Sequence, residues 1–198
     1  GLDLAFAFNE TGDKKNLKTW QSLVSSWIEQ VEIGSDSSDV SARRIQNWIY
    51  AWMIFARKNP VFSIEFINQI CQSLARQITH LRNNLTPERN HRTLELYSLF
   101  VASLALPNPD KSDELLQFSI KQLYENLLTD FQADGVHREQ STHYHMIVLR
   151  SFLGVMENAK RGNLNLPEGF AERVEKACEF AMHIHTPVGE IPALSDSD

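Results

Sequence analysis

Apolar residues recur at intervals of three and four along almost the whole chain, the signature of helices that bury one stripe. Between Lys15 and Glu32 the stripe is Leu17, Trp20, Leu23, Val24, Trp27 and Val31. Gly34 and a run of serines and aspartates up to Asp39 then break the pattern. Ile45, Trp48, Ile49, Trp52 and Phe55 predict a second helix over 40–57. It stops at Asn59-Pro60, because proline disfavours helical geometry in the residue before it. A third, over 62–81, carries Ile64, Ile67, Cys71, Leu74 and Ile78. Thr86 as a cap, Pro87 in the first turn and Glu88 at the positive end of the dipole predict a fourth. It runs to Leu104 and closes at Pro107-Asn108-Pro109. Ser112 to Phe131, Ser141 to Lys160 with Gly162 as the stop, and Pro167 to His185 complete the series. The opening, Gly1 to Ala5, reads as the middle of a further helix, and Ala193 to Asp198 has no terminating character. The chain is therefore expected to be a piece of a longer one.

No stretch sustains period-two alternation, so the fold class is all-α, and the short connections imply antiparallel helical hairpins. The helices recur at a regular rhythm without a repeating signature, which leaves helical toroids and α-solenoids both open. Composition changes little in this picture. Hydrophobic residues make up 42% and charged residues 22%, values of a globular protein rather than a disordered one. The net charge of -6 argues against nucleic acid as a partner. It does not argue against a small or polymeric anion, which a few local cations can hold. No apolar run is long enough for a membrane span, and the start has no signal-peptide pattern. Cys71 and Cys178 sit within apolar helical patterns, where a free thiol behaves as a small hydrophobe.

Two clusters carry candidate chemistry. Arg89-Asn90-His91-Arg92 opens the fourth helix, and Asn90 shares a face with Leu94, Tyr97, Val101 and Leu104. That places a carboxamide toward the interior, where it requires hydrogen-bond partners. It is either a core amide bridging helices or part of a site. The second cluster, Asp134 to His145, packs three histidines, a tyrosine and both signs of charge into a loop-to-helix junction. Its plain reading is a cap: Ser141 as N-cap, Tyr144 in the core, the histidines exposed. Its functional reading directs the Tyr144 hydroxyl into a cavity. Zinc is disfavoured, because His143 and His145, like His183 and His185, are two residues apart and diverge on a helix. Trp20, Trp27, Trp48 and Trp52 suit packing between the first two helices, and one of them could serve as a sugar-stacking platform.

Together these segments resemble the helical domain of the heparinase II/III family of polysaccharide lyases. The likeness rests on Arg44-Ile45-Gln46-Asn47-Trp48, on Asn90 to Leu96, and above all on Asp134 to His145. Pro192 to Asp198 also resembles the family's exit from that domain, usually written with glycine where Ser195 stands. The resemblance implies that residues 1–198 form a single domain fragment, part of an incomplete α/α toroid, with a C-terminal β-sandwich domain beyond it. It implies periplasmic or secreted location; no cofactor is expected, nor, on the histidine spacing, a metal.

The activity implied is β-elimination at an acidic polysaccharide of the heparan sulfate or alginate kind. The proton on C5, alpha to the uronate carboxylate, leaves together with the C4 glycosidic oxygen. Hydrogen bonds to that carboxylate stabilise the developing charge in the manner of an oxyanion hole. On this resemblance Asn90 supplies the amide and His91 assists, while Tyr144 gives a proton to the leaving oxygen and in a syn elimination also takes one. The family uses a further histidine from the β-sandwich. His145, Arg138, Glu139, Gln140, Arg92, Asn47, Trp48 and Arg44 are the expected substrate-binding residues, with Arg89 as a further cation. A non-lytic carbohydrate-binding or exopolysaccharide-processing protein and an α-solenoid scaffold are the alternatives.

Overall fold

The computed structural model describes residues 1–58, 62–106 and 112–197. The stops read at Asn59-Pro60 and Pro107-Asn108-Pro109, the side-chain cap read at Ser112 and the final Asp198 lie outside what is described. Helices α1 (Leu2–Thr11), α2 (Lys14–Gln30), α3 (Ser38–Ala56) and α4 (Ile64–Asn83) form the first half. Helices α5 (Arg89–Ala105), α6 (Ser112–Asp130), α7 (Thr142–Gly162) and α8 (Phe170–Ile184) form the second. The opening segment is a helix, as its pattern suggested, and ends where Gly12 takes a left-handed φ of 71°.

Contacts between helices sort into two layers. The odd helices pack in chain order, α1 on α3, α3 on α5 and α5 on α7. Behind them α2 packs on α4 and α6 on α8, and each odd helix also packs on the even helix that follows it. This is the hairpin arrangement of an α/α toroid, and the described residues contain no strand beyond one isolated bridge between Phe131 and His137. Helix α5 lies at the centre, between α3 and α7 and over α6, and it is buried nearly all round. Leu96, Leu99 and Phe100 are wholly enclosed. Each such side chain stabilises the fold by about 1.5–3 kcal/mol. Trp20, Phe55 and Phe66 join the first half through close ring contacts, and Phe131, Phe152 and Phe170 join the second.

Several local expectations need correction. Thr86 does not cap α5, which starts at Arg89. Instead the buried Glu95 carboxylate accepts from the Thr86 N–H at 2.7 Å and hydroxyl at 2.6 Å, and Arg92 donates to its carbonyl at 2.8 Å. All the polar groups of Thr86 are thus taken by Arg92 and Glu95, in the first two turns of α5. On α4 the buried stripe is Phe66, Ile70, Ser73, Leu74, Gln77 and Leu81, so Cys71 is exposed and Ile64 lies in solvent. The register shifts because Gln77 and Ser73 face inward, where Gln77 receives Arg44 from α3. Helix α7 runs through Gly162 and stops at Asn163, which takes the left-handed conformation. Helix α8 starts at Phe170 rather than Pro167, after Gly169 with a φ of 81°.

Candidate active site

The start of α7 is fastened to the end of the chain. Ser141 caps the helix by accepting from the Tyr144 N–H at 3.2 Å. Its hydroxyl donates to the Asp196 carbonyl at 3.0 Å. Ser197 Oγ accepts from the His143 N–H at 3.1 Å and donates to the Leu194 carbonyl at 2.6 Å, and Thr142 donates to the Pro192 carbonyl at 2.8 Å. Exposed N–H groups at a helix start thus recruit the serine-rich tail. The consequence is chemical: Asp196 Oδ2 lies 3.0 Å from the Tyr144 hydroxyl, which donates to it.

The loop before α7 is equally fixed. Gly135 has a φ of 85°, and a Cβ there would lie 2.1 Å from the Lys176 carbonyl oxygen on α8, so only glycine permits this approach. From that anchor the chain returns antiparallel, with the Arg138 N–H donating to the Asp130 carbonyl at 2.7 Å. Arg138 then pairs with the enclosed Asp130 at 3.0 Å and with Glu88 at 2.9 Å. Asn126 donates to both Asp130 and Thr93 at 2.7 Å, tying α6 to α5. Burial pushes the Asp130 carboxyl up to about 6 despite Arg138 and Asn126. Burial likewise pushes His137 down to about 4, so it is neutral near pH 7.

Glu139 meets the first turn of α5. Its carboxylate accepts from the Asn90 backbone N–H at 3.1 Å and from Asn90 Nδ2 at 3.1 and 3.2 Å. The negative charge complements the helix N-terminus, where Glu88 forms no side-chain cap. Glu139 also lines a hollow of about 420 Å³ with Arg89, Arg138, Tyr144 and Asp196. Asn90 is thereby linked to Tyr144's hollow through one carboxylate. Among the described residues four non-glycines have positive φ, and three of them, Arg89 (72°), Gln140 (54°) and Ser195 (57°), lie in or beside the segments around this hollow. Each such conformation costs on the order of 1–3 kcal/mol, and such strain concentrates at functional sites.

A second hollow, of about 520 Å³, opens on the same odd-numbered layer. Leu2 and Phe6 of α1, Asn47 and Tyr50 of α3, Leu94 of α5 and Ile147 of α7 are among its walls. Leu94 and Tyr97 continue the Asn90 face along α5, and Ile147 and Ser151 continue the Tyr144 face along α7. Gly154 lets the Tyr97 ring lie against α7, since a Cβ there would meet its hydroxyl at 2.3 Å.

The expected site residues divide accordingly. Tyr144, Arg138 and Glu139 share the first hollow, Asn90 contacts it through Glu139, and Asn47 lines the second. Gln140 is exposed and lines neither of them, but a separate small cavity with His137 and His145. Others face elsewhere. His145 is enclosed, hydrogen-bonded through Nε2 to the Ala177 carbonyl at 3.0 Å and packed on Phe131 and Phe180, so it braces α7 on α8 instead of facing Tyr144's hollow. Arg44 stacks over Trp27 and bonds Asp36, Ser41 and Gln77, joining α3 to α2 and α4. Trp48 packs edge-on against Trp27 on that same side. Arg92 is spent on Thr86 and Gln122, and His91 sits 3.6 Å from Asp39, outside both hollows. Unforeseen were Asp196 and the buried pair Asn126 and Asp130. The last two stand one turn apart beside the Leu123–Leu127 stripe, a signal that the pattern did contain.

Residues 2–198 match the family described as Heparinase II/III N-terminus. A heparin-sulfate lyase of Pedobacter heparinus is 26% identical over 98% of this chain and 31% of its own length. One of Bacteroides thetaiotaomicron is 24% identical over 92% of this chain and 27% of its own length. The chain thus spans under a third of the length of these relatives. Among solved structures, heparinase III superposes with a TM-score of 0.87 at 23% identity, covering 96% of this chain and 31% of that one. A heparan sulfate lyase from Pedobacter heparinus superposes at 0.78 with 24% identity over the same shares. The layered helices and the matched residues together make the chain a member of the heparinase II/III N-terminal domain family.

Proposed function

We propose that this chain is the helical part of a polysaccharide lyase that cleaves a uronate-containing acidic polysaccharide, of the heparan sulfate or alginate kind, by β-elimination. The observation that supports it best is the hollow in which a phenol, a guanidinium and an amide-bound carboxylate converge under backbone strain. In this reading Arg138 and Arg89 attract the uronate, and the Asn90 amide, oriented by Glu139, stabilises charge developing on its carboxylate as C5 loses a proton. Tyr144 delivers its proton to the C4 oxygen as that bond breaks, once its O–H has turned to the substrate from Asp196, the acceptor that holds it before substrate enters. In a syn elimination Tyr144 as tyrosinate also takes the C5 proton before passing it to the leaving oxygen; a further histidine is expected from a β-sandwich domain, and residues 1–198 act as one helical unit.

Elimination leaves a conjugated double bond, so the full-length protein mixed with uronic-acid polymers is expected to generate ultraviolet absorbance. Tyr144→Phe should lower the rate by about a hundredfold or more. Full activity in that variant, or no absorbing product from any uronate polymer, would overturn the reading. Binding without product would favour a non-lytic carbohydrate-binding role.

A further inference from the structure

The second hollow lies one to two helical turns beyond the first, and its described lining comes from the odd helices α1, α3, α5 and α7. Arg43 of α3 and Arg150 of α7 reach it from opposite walls. The chain has more acids than bases, 25 against 19, yet among the described residues neither Asp nor Glu lines this hollow. Among the described residues neither guanidinium is in an ion pair. Other arginines nearby are engaged: Arg44 with Asp36 and Gln77, Arg138 with Asp130 and Glu88. Both guanidinium groups are exposed, so their charge is available to an anion entering the hollow.

The remaining groups suit a sugar. The Tyr50 and Tyr97 hydroxyls lie 3.1 Å apart, and Gln46 Nε2 donates to Tyr50 at 3.4 Å. Burial first, and the Tyr50 contact second, hold Tyr97 above the ordinary phenol range, so it stays a neutral hydrogen-bonding group. Asn47 adds an amide to the rim. Position along the groove matters as well. From Tyr144 to Arg150 the rise along α7 is about 9 Å, a span that two linked sugar rings cover.

We propose that Arg43 and Arg150 form a second anion subsite, which binds the carboxylate or sulfate of a sugar about one disaccharide away from the unit cleaved at Tyr144. It rests on the lyase reading of the first hollow. The polymer then lies along the layer of odd helices, over α5, and is held at two charged points. Planar guanidinium groups pair carboxylate and sulfate bidentately, so both kinds of polymer can use it.

The test is length dependence in the full-length protein. Uronate oligosaccharides of increasing length, prepared from heparan sulfate and from alginate, are assayed by ultraviolet absorbance and by calorimetric binding. Arg43→Gln and Arg150→Gln carry exposed substitutions that leave the fold intact, and Arg161→Gln at the far end of α7 is the control. Each variant is expected to raise KM for the longer oligosaccharides about tenfold, with kcat nearly unchanged. The shortest ligands, which occupy the first hollow alone, should bind as before, and the salt dependence of long-chain binding should weaken. An equal loss at every length, or no loss relative to Arg161→Gln, would overturn the subsite while leaving the lyase reading intact. If the unaltered protein neither binds nor cleaves any of these oligosaccharides, both fall together.

Discussion

At the scale of single residues, backbone conformation carries the most information. Ser195 holds a φ of 57°, and the resemblance had already marked it as a place where relatives carry glycine. A side chain in that region is strained, and glycine relieves the strain at some cost in unfolded-state entropy. Ser195→Gly is therefore expected to raise stability by about 1 kcal/mol, read as a higher urea midpoint. Gly135→Ala should act oppositely, because left-handed φ and the Lys176 carbonyl both oppose a Cβ. A loss of about 2–4 kcal/mol is expected. Equal midpoints for the three proteins would contradict the assigned geometry. Only residues of this kind were readable as chemistry in advance, and unevenly so. Tyr144 and Glu139 stand in a dense polar motif; Asp196 reaches Tyr144 only through the fold of the serine-rich tail, which no local spacing reveals.

Among elements, the buried polar links between α5, α6 and the loop before α7 decide how the site responds to pH. His137 titrates at about 4 in the fold against 6.5 in an unfolded chain, and His145 is lowered in the same direction by burial. The unfolded chain therefore takes up these protons first, and stability falls as pH drops below about 6.5. Asp130 works the other way. Its folded value of about 6 lies above the ordinary 3.8, so the fold binds that proton more tightly and loses stability as pH rises from about 4 to 6. Asp130 thus offsets much of one histidine's effect. Asp130→Asn should steepen the rise of stability with pH between 4 and 6, by up to about 1.4 kcal/mol per pH unit. Parallel stability–pH curves for the two proteins would refute it. The helices themselves were legible because apolar period survives any tertiary context, whereas their ends were not. Glu95 takes Thr86 away from its capping role, and Gln77 turns α4 to receive Arg44, both through partners remote in sequence. The same cause misdirected Arg44, Trp48 and His145, since periodicity says that a residue lies on a face without saying which neighbour claims it.

For the molecule as a whole, the two-layer arrangement assigns tasks. The even helices back the odd ones, and the odd ones present a surface that runs from Tyr144 past Leu94 to Arg43 and Arg150. An acidic chain with a net charge of -6 can hold a polyanion only where cations are gathered and carboxylates are either paired or absent. In the first hollow the carboxylates of Glu139 and Asp196 are held by Asn90 and Tyr144 beside Arg89 and Arg138, and among the described residues no acid lines the second. The most direct test is a crystal structure of the full-length Tyr144→Phe protein with a uronate hexasaccharide. One uronate carboxylate is expected beside Asn90 and Arg138, with the chain continuing across α5 toward Arg43 and Arg150. A hexasaccharide seated on the layer of α2, α4, α6 and α8, away from Tyr144, would contradict the assignment.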